Sequence, residues 1–311
     1  MQRAVIAMTQ PAIAVENLVK QYGQTLALQG ISFQVYPGEV FGYLGPNGAG
    51  KTTTIRLLAG LSSPTSGACW VLGQPTFKNP ALYRHLGIVF EESHLYERLT
   101  GMENLRFFGA LHGVPTARIQ ELLETYDLVK AAKRPVRTYS KGMKRRLFIC
   151  RALLHDPEVL IMDEPTSGLD PTSAAVIHAA IDHYRKQGKT IFLSTHDMSE
   201  AEALCDRVAF LSKGRIAALD QPKALMRRYG QPVVVIQLKP AAEAVDTLEK
   251  AVSSDQVSWE DELLTVRLPL DEPGLGAKID QLRDWGQIIS IHTQEASLGE
   301  VFRQVTGTKL P

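Results

Sequence analysis

The segment Gly45-Pro46-Asn47-Gly48-Ala49-Gly50-Lys51-Thr52 fits the pattern G-x-x-x-x-G-K-[ST]. Glycines at this spacing let a loop turn its backbone N–H groups inward around phosphate oxygens. Lys51 then adds a point charge for the β- and γ-phosphates of a nucleotide. The Thr52 hydroxyl is placed to ligate Mg²⁺, and Thr53 joins the same binding set. A second constellation is Val159-Leu160-Ile161-Met162-Asp163-Glu164, an apolar run ending in two acids. Burying charge is costly unless it is paired or metal-bound. Asp163 therefore reads as a second Mg²⁺ contact. Glu164, on the other side of the pleat, reads as the group that polarises the attacking water at the γ-phosphate.

These groups need particular elements to hold them. Glu39 to Leu44 reads as a strand running into the glycine loop, and Thr52 to Leu61 as the helix after it, with Ile55, Leu58 and Leu61 on one face. A strand before and a helix after weigh against a chance glycine turn, and they point the positive helix end at the phosphates. Upstream, Ala14 to Val19 and Ala27 to Val35 alternate as half-buried strands. The stretch from about 93 to 154 reads as a helical subdomain. Val159 to Met162 and Thr190 to Ser194 are uniformly apolar and separated by a helix near Ser173 to Gln187, the pattern of a parallel sheet covered on both faces. Beyond about Arg228 the order becomes strand (Val233 to Leu238), helix (Ala241 to Val252), strand, strand (Leu263 to Leu268), helix (Leu275 to Trp285), strand (Ile288 to His292). That is the ferredoxin-like β-α-β-β-α-β order, and a last helix, Ser297 to Thr306, follows it.

Composition narrows the class. In 311 residues, 44% are apolar and 22% charged, so the chain can build an ordinary core. The 34 Lys and Arg nearly cancel the 33 Asp and Glu, leaving no global field to attract nucleic acid. Cys69, Cys150 and Cys205 are scattered in apolar sequence, which predicts buried free thiols and no CxxC metal knuckle. The apolar run Ala4 to Met8 is too short for a secretion signal, and no stretch reaches the roughly 18 to 20 apolar residues of a spanning helix. One local charge feature stands out: Leu128 to His155 carries basic residues and no acid, with Lys141, Lys144, Arg145 and Arg146 expected to face bound triphosphate.

Between the glycine loop and the two acids lies Tyr139-Ser140-Lys141-Gly142-Met143, and after them Ser167-Gly168-Leu169-Asp170 and Ser194-Thr195-His196-Asp197. With these in order, the sequence resembles the nucleotide-binding subunits of ABC transporters from about Ile13 to Gly230. The resemblance implies an α/β P-loop NTPase cassette (a mixed sheet core, an antiparallel β subdomain and a helical subdomain), followed by a small α+β C-terminal domain. The expected boundaries are an N-terminal extension over 1–12, the cassette over 13–230 and the accessory domain over 231–311. It further implies that Ser140, Lys141 and Gly142 cap the ATP of an opposite subunit, that Asp170 lies at the dimer contact, that His196 reaches the γ-phosphate, and that Tyr22 stacks on adenine.

Two positions depart from the family pattern. Its usual glutamine after the strand Ile88-Val89-Phe90 is here Glu91, which can serve the Mg²⁺ shell but adds negative charge near Glu164. The common signature Leu-Ser-Gly-Gly-Gln is Tyr-Ser-Lys-Gly-Met here. Both variants, with the ending Ala296 to Phe302, resemble the branch that serves exporter permeases. The implied protein is an ATPase using ATP and Mg²⁺, paired with a second identical or different cassette. It would be cytoplasmic, held at the inner face of the cell membrane by a polytopic permease, and have no nucleic-acid partner. Competing readings are a soluble ABC ATPase working on ribosomes or DNA, and an ATP-dependent regulatory switch.

Overall fold

A computed structural model describes residues 10–91, 95–241, 257–260 and 262–307. These fall into two compact units, the first comprising residues 10–222 with 306–307 and the second residues 223–305.

The first unit contains two sheets. β1 (Ile13–Tyr22), β2 (Thr25–Val35), β4 (Ser66–Val71) and β5 (Gln74–Pro75) form an antiparallel sheet in the order β2-β1-β4-β5. Inward alternation in β1 breaks after Val15 and resumes at Leu18, because Asn17 adopts a left-handed φ of 46° and shifts the register by a bulge. The second sheet joins β3 (Val40–Leu44), β6 (Leu86–Val89), β7 (Val159–Asp163), β8 (Thr190–Thr195), β9 (Arg207–Ser212) and β10 (Arg215–Asp220) in the order β10-β9-β3-β8-β7-β6. Only β10 runs antiparallel to its neighbour. β3, β7 and β8 are buried along their whole length, as their uninterrupted apolar sequence requires. Phe33 of β2 meets Phe41, Tyr43 and Phe192 with ring centroids 5.5, 5.6 and 6.0 Å away, which locks the two sheets into one core.

Helix α1 spans Lys51–Leu58 and stops short of Leu61. Gly60 takes a left-handed φ of 69°, and the N–H groups of Gly60 and Leu61 return to the carbonyls of Leu57 and Arg56. This is a Schellman end, and it carries Leu61 off the buried face to 58% exposure, correcting the expected stripe. The helical subdomain comprises α2 (Gly101–Leu111), α3 (Thr116–Thr125) and α4 (Lys141–Ala152), with α5 (Pro171–Lys186) and α6 (Met198–Leu204) following β7 and β8. Thr100 and Glu103 close a capping box that starts α2, and Leu105, Ile119, Leu122, Leu147 and Phe148 are buried.

The second unit begins within α7 (Pro222–Tyr229), at Lys223. Its sheet contains β11 (Val233–Pro240), β12 (Val257–Glu260), β13 (Leu263–Pro269) and β14 (Gly286–Gln294), all antiparallel, in the order β12-β13-β11-β14. That order is the one a β-α-β-β-α-β chain produces. α8 (Leu275–Trp285) places Leu282 against Val234, Ile236, Leu238, Leu264, Val266 and Leu268. The expected helix over 241–252 lies outside the described residues apart from Ala241. α9 (Leu298–Thr306) starts at a second reciprocal cap between Ser297 and Glu300.

Candidate active site

β3 delivers the chain into the glycine loop, and the loop is held from behind. A Cβ on Gly45 would stand 2.4 Å from the Leu211 carbonyl, and one on Gly50 2.8 Å from the Ala27 carbonyl. The turn between β9 and β10 supports the loop as well: the Gly214 N–H donates to the Ala49 carbonyl at 3.0 Å, while the Gly214 carbonyl accepts from the Gln29 N–H at 2.9 Å. In front of the loop opens a cavity of about 330 Å³, lined by Pro46, Asn47, Gly48, Gly50, Lys51, Thr52 and Thr53 from the loop and α1. Its other walls are Thr25 to Ala27, Gln29, Glu91, Glu164, Lys213 and Gly214. Lys213, Gly214 and Gln29 were not legible as site residues, since they reach the loop only through strand pairing far along the chain.

Lys51 is buried, donating to the Gly45 carbonyl at 2.6 Å, and its ammonium lies 3.0 Å from Glu164 Oε1. That approach is an ion pair without hydrogen-bond geometry, so Oε1 keeps its lone pairs uncommitted. The other Glu164 oxygen, Oε2, lies 2.8 Å from His196 Nδ1. An ionised carboxylate only accepts, which places the proton of this contact on Nδ1.

The expectation that Glu164 sits on the pleat opposite Asp163 is corrected. β7 ends at Asp163, and Glu164 turns off it with a left-handed φ of 47°. Its N–H donates to the Ser194 carbonyl at 3.0 Å. A side chain other than glycine held in this region costs on the order of 1–3 kcal/mol, a strain that recurs where catalytic groups must be aimed. Here the aim is toward Lys51 and His196. Ser194, buried at the end of β8, also donates its hydroxyl to Asp163 Oδ1 at 2.5 Å. Sequence reading gave Ser194 no role; a lone hydroxyl beside an acid-tipped strand was the available signal.

The hard oxygens that could hold Mg²⁺ are the Thr52 hydroxyl and Glu91 carboxylate at the cavity wall, with Asp163, 1% exposed, behind it. Among the described residues no cluster of three or more His, Cys, Asp or Glu could hold an ion unaided. Mg²⁺ is usually held by one or two carboxylates together with substrate phosphates and water, and Glu91 and Asp163 are two such carboxylates.

Ser140, Lys141, Gly142 and Asp170 do not line this cavity in their own chain. They form a separate cluster. Ser140 caps α4 by accepting from the Met143 N–H, and a Cβ on Gly142 would fall 2.4 Å from Ser173 Oγ. Asp170 caps α5 by accepting from the N–H and hydroxyl of Ser173, bonds that hold its carboxyl below the usual range. Tyr22 ends β1, 45% exposed with Lys20 over its ring, and is not among the cavity-lining residues.

The basic run is largely engaged elsewhere. Lys144 pairs with Glu97 at 2.6 Å, Arg146 donates to the Tyr126 carbonyl at 2.9 Å, and Arg151 lies over the Phe148 ring. Lys144 and Arg146 thus bond within the helical subdomain, Lys144 to the loop before α2 and Arg146 to the carbonyl just after α3. Cys69, Cys150 and Cys205 are buried and free.

A family model described as "ABC transporter" matches residues 28–167. The chain is 40% identical over 301 residues to a fluoroquinolones export ATP-binding protein of Mycobacterium tuberculosis (strain CDC 1551 / Oshkosh), covering 96% of this chain and 94% of that one. It is 38% identical over 309 residues to a Nod factor export ATP-binding protein I of Paraburkholderia xenovorans (strain LB400), covering 97% and 99%. Among solved structures, an ATP-binding subunit of an ABC transporter superposes with TM-score 0.65 at 32% identity, covering 70% of this chain and 93% of that one. A dimeric ATP-binding cassette in a post-hydrolysis state with ADP and Pi superposes with TM-score 0.62 at 25% identity, covering 67% and 98%.

Proposed function

This chain belongs to the ABC transporter family as one of its ATP-binding, ATP-hydrolysing subunits, and from that premise we propose that it powers export through a separate membrane permease. Relatives named for fluoroquinolone export and for Nod factor export match it nearly end to end, which supports the direction of transport. Their different cargoes leave the permease as the place where cargo is chosen. Among the described residues no helix is long and apolar enough to cross a membrane. The permease would therefore hold the cassette at the cytoplasmic face of the cell membrane. The exposed aromatic cluster of Tyr96 and Phe107, with Leu111 70% exposed on α2, is the docking face that fits such a partner.

The proposed engine is a pair of cassettes, each ATP lying between Gly45–Thr52 of one chain and Ser140–Gly142 of the other. One observation carries the hydrolytic assignment: the strained backbone at Glu164 sets its carboxylate between Lys51 and His196 at the cavity wall. Glu164 Oε1 accepts a proton from water as that water attacks the γ-phosphorus and the bond to the β–γ bridging oxygen breaks, leaving ADP and inorganic phosphate. Lys51 leaves its ion pair to meet the β- and γ-phosphate oxygens. His196 holds the Glu164 carboxylate through Nδ1 and turns the rest of its ring toward the γ-phosphate side of the site. Mg²⁺, when bound, offsets phosphate charge, with Thr52, Asp163 and Glu91 as its protein oxygens. Tyr22 packs on the adenine, displacing Lys20 from the ring face.

The test is a tagged Glu164→Gln chain used as bait in detergent-solubilised membranes of the source organism with Mg-ATP. Co-purification of a stoichiometric polytopic membrane protein is the expected result. Recovery of free dimer, ribosomes or DNA in repeated preparations would overturn the transporter assignment.

A further inference from the structure

Arg145 belongs to the helix that begins at the Ser140 cap, yet it points inward and is only 4% exposed. Its guanidinium spans two segments of the site. One terminal nitrogen donates to the Phe90 carbonyl at 2.6 Å, next to Glu91; the other donates to the Glu164 carbonyl at 3.1 Å. Neither acceptor carries a full charge, so these bonds alone leave a cation in a low-dielectric interior, an expensive arrangement. The compensation is visible around it. Burial lowers the Arg145 pKa, and the Glu91, Asp163 and Glu164 carboxylates oppose that effect, Glu91 most strongly. A planar fork grips two diverging carbonyls, whereas an ammonium is a point charge with no such span.

We propose that Arg145 is a positioning residue whose buried charge balances Glu91 and whose two carbonyl contacts fix the Glu91 and Glu164 loops to the helix that starts at Ser140. Glu91 and Arg145 are one device. The carboxylate that would otherwise repel phosphate and Glu164 is offset by a cation from α4, and the same cation sets the backbone from which Glu164 is aimed. Movement at the Ser140 end of α4, the part assigned to a partner's ATP, can reach both acids through this side chain.

The inference rests on the assignment of Glu164 as the water-activating group, which E164Q alone tests. If E164Q hydrolyses ATP at the wild-type rate, that assignment fails whatever Arg145 does. The test of the inference is a double-mutant cycle of E91Q and R145Q in the full chain, reading kcat and KM for ATP. R145Q is expected to lower kcat on the order of a hundredfold with KM changed less than about threefold, because the loop that binds phosphate is untouched. Adding E91Q removes the unbalanced carboxylate and should recover about tenfold or more of that loss. Turnover of the double variant equal to the product of the two single effects, within about twofold, overturns the proposal.

Thermal unfolding without nucleotide supplies the reading independent of activity, and it decides alone if R145Q does not fold. Glu91 is exposed, so E91Q as an ordinary surface change should leave the midpoint where it was. As the loss of a buried cation's balance it should lower the midpoint by about 2–4 °C. An unchanged midpoint counts against the pairing.

Discussion

Ser194 lies at the junction of both site acids, donating its hydroxyl to Asp163 Oδ1 at 2.5 Å and accepting the Glu164 N–H on its carbonyl at 3.0 Å. Replacing it with alanine keeps the second bond and removes the first, leaving a buried carboxylate short of one donor. Ser194→Ala should cost about 1–3 kcal/mol of stability. It should also raise the Mg²⁺ concentration needed for half-maximal hydrolysis, because Asp163 is freed to rotate. Unchanged thermal unfolding and Mg²⁺ titration would remove Ser194 from the site.

Glu164→Gln keeps the shape of the side chain and removes the carboxylate proposed to take the proton. Turnover should fall on the order of a hundredfold or more while ATP binding persists. His196→Ala should lower turnover too, and the two losses should not multiply when combined, since Nδ1 and Oε2 are direct partners. Single-turnover hydrolysis beside equilibrium binding of a fluorescent ATP analogue separates these effects.

Gly45 is required by packing. An added methyl would meet the Leu211 carbonyl at 2.4 Å, a backbone contact that no rotamer change relieves. Gly45→Ala should therefore cost about 1–3 kcal/mol, read as a lower unfolding midpoint in the absence of nucleotide, with ATP affinity lost as well. A stable Gly45→Ala chain that binds ATP normally would show that the loop has more room than this packing permits.

His155 stacks on His112 with ring centroids 4.3 Å apart and has Nε2 placed to donate to the Leu86 carbonyl at 3.0 Å. Burial, with His112 and His85 as like charges, lowers its pKa below 6.5, against the opposing carbonyl bond and Asp156. The unfolded chain therefore takes up this proton first as pH falls. The associated stability is fully present above pH 6.5 and is lost as pH drops through the lower folded value. Unfolding midpoints between about pH 7.5 and 5 should decline, and His155→Gln should flatten that decline. Equal slopes in both proteins would assign the pH dependence to other groups.

Legibility followed the range of the forces involved. The glycine loop could be read because its residues are consecutive and its strand and helix flank it directly. β3, β7 and β8 could be read because a strand buried on both faces has no polar residue to spare until its end, where Asp163 stands. The second unit's succession of strands and helices was legible, although the pairing order of the strands came from the fold.

Other features depended on chain segments meeting that are distant in sequence. Leu61 repeats in helical register, but the left-handed Gly60 and its backbone bonds to the preceding turn end α1 first. The bonds of Lys144 to Glu97 and of Arg146 to the Tyr126 carbonyl likewise join α4 to segments distant in sequence. Residue type and local spacing were enough to single out groups fit to cradle a triphosphate, ligate a hard cation and accept a proton, because those residues are consecutive or end one apolar run. Tertiary structure alone decided the left-handed turn that aims Glu164, the Ser194 and Arg145 bonds that hold it, and the Gly214 support behind the loop. Each depends on a hydrogen bond or a close approach between residues that no local pattern connects.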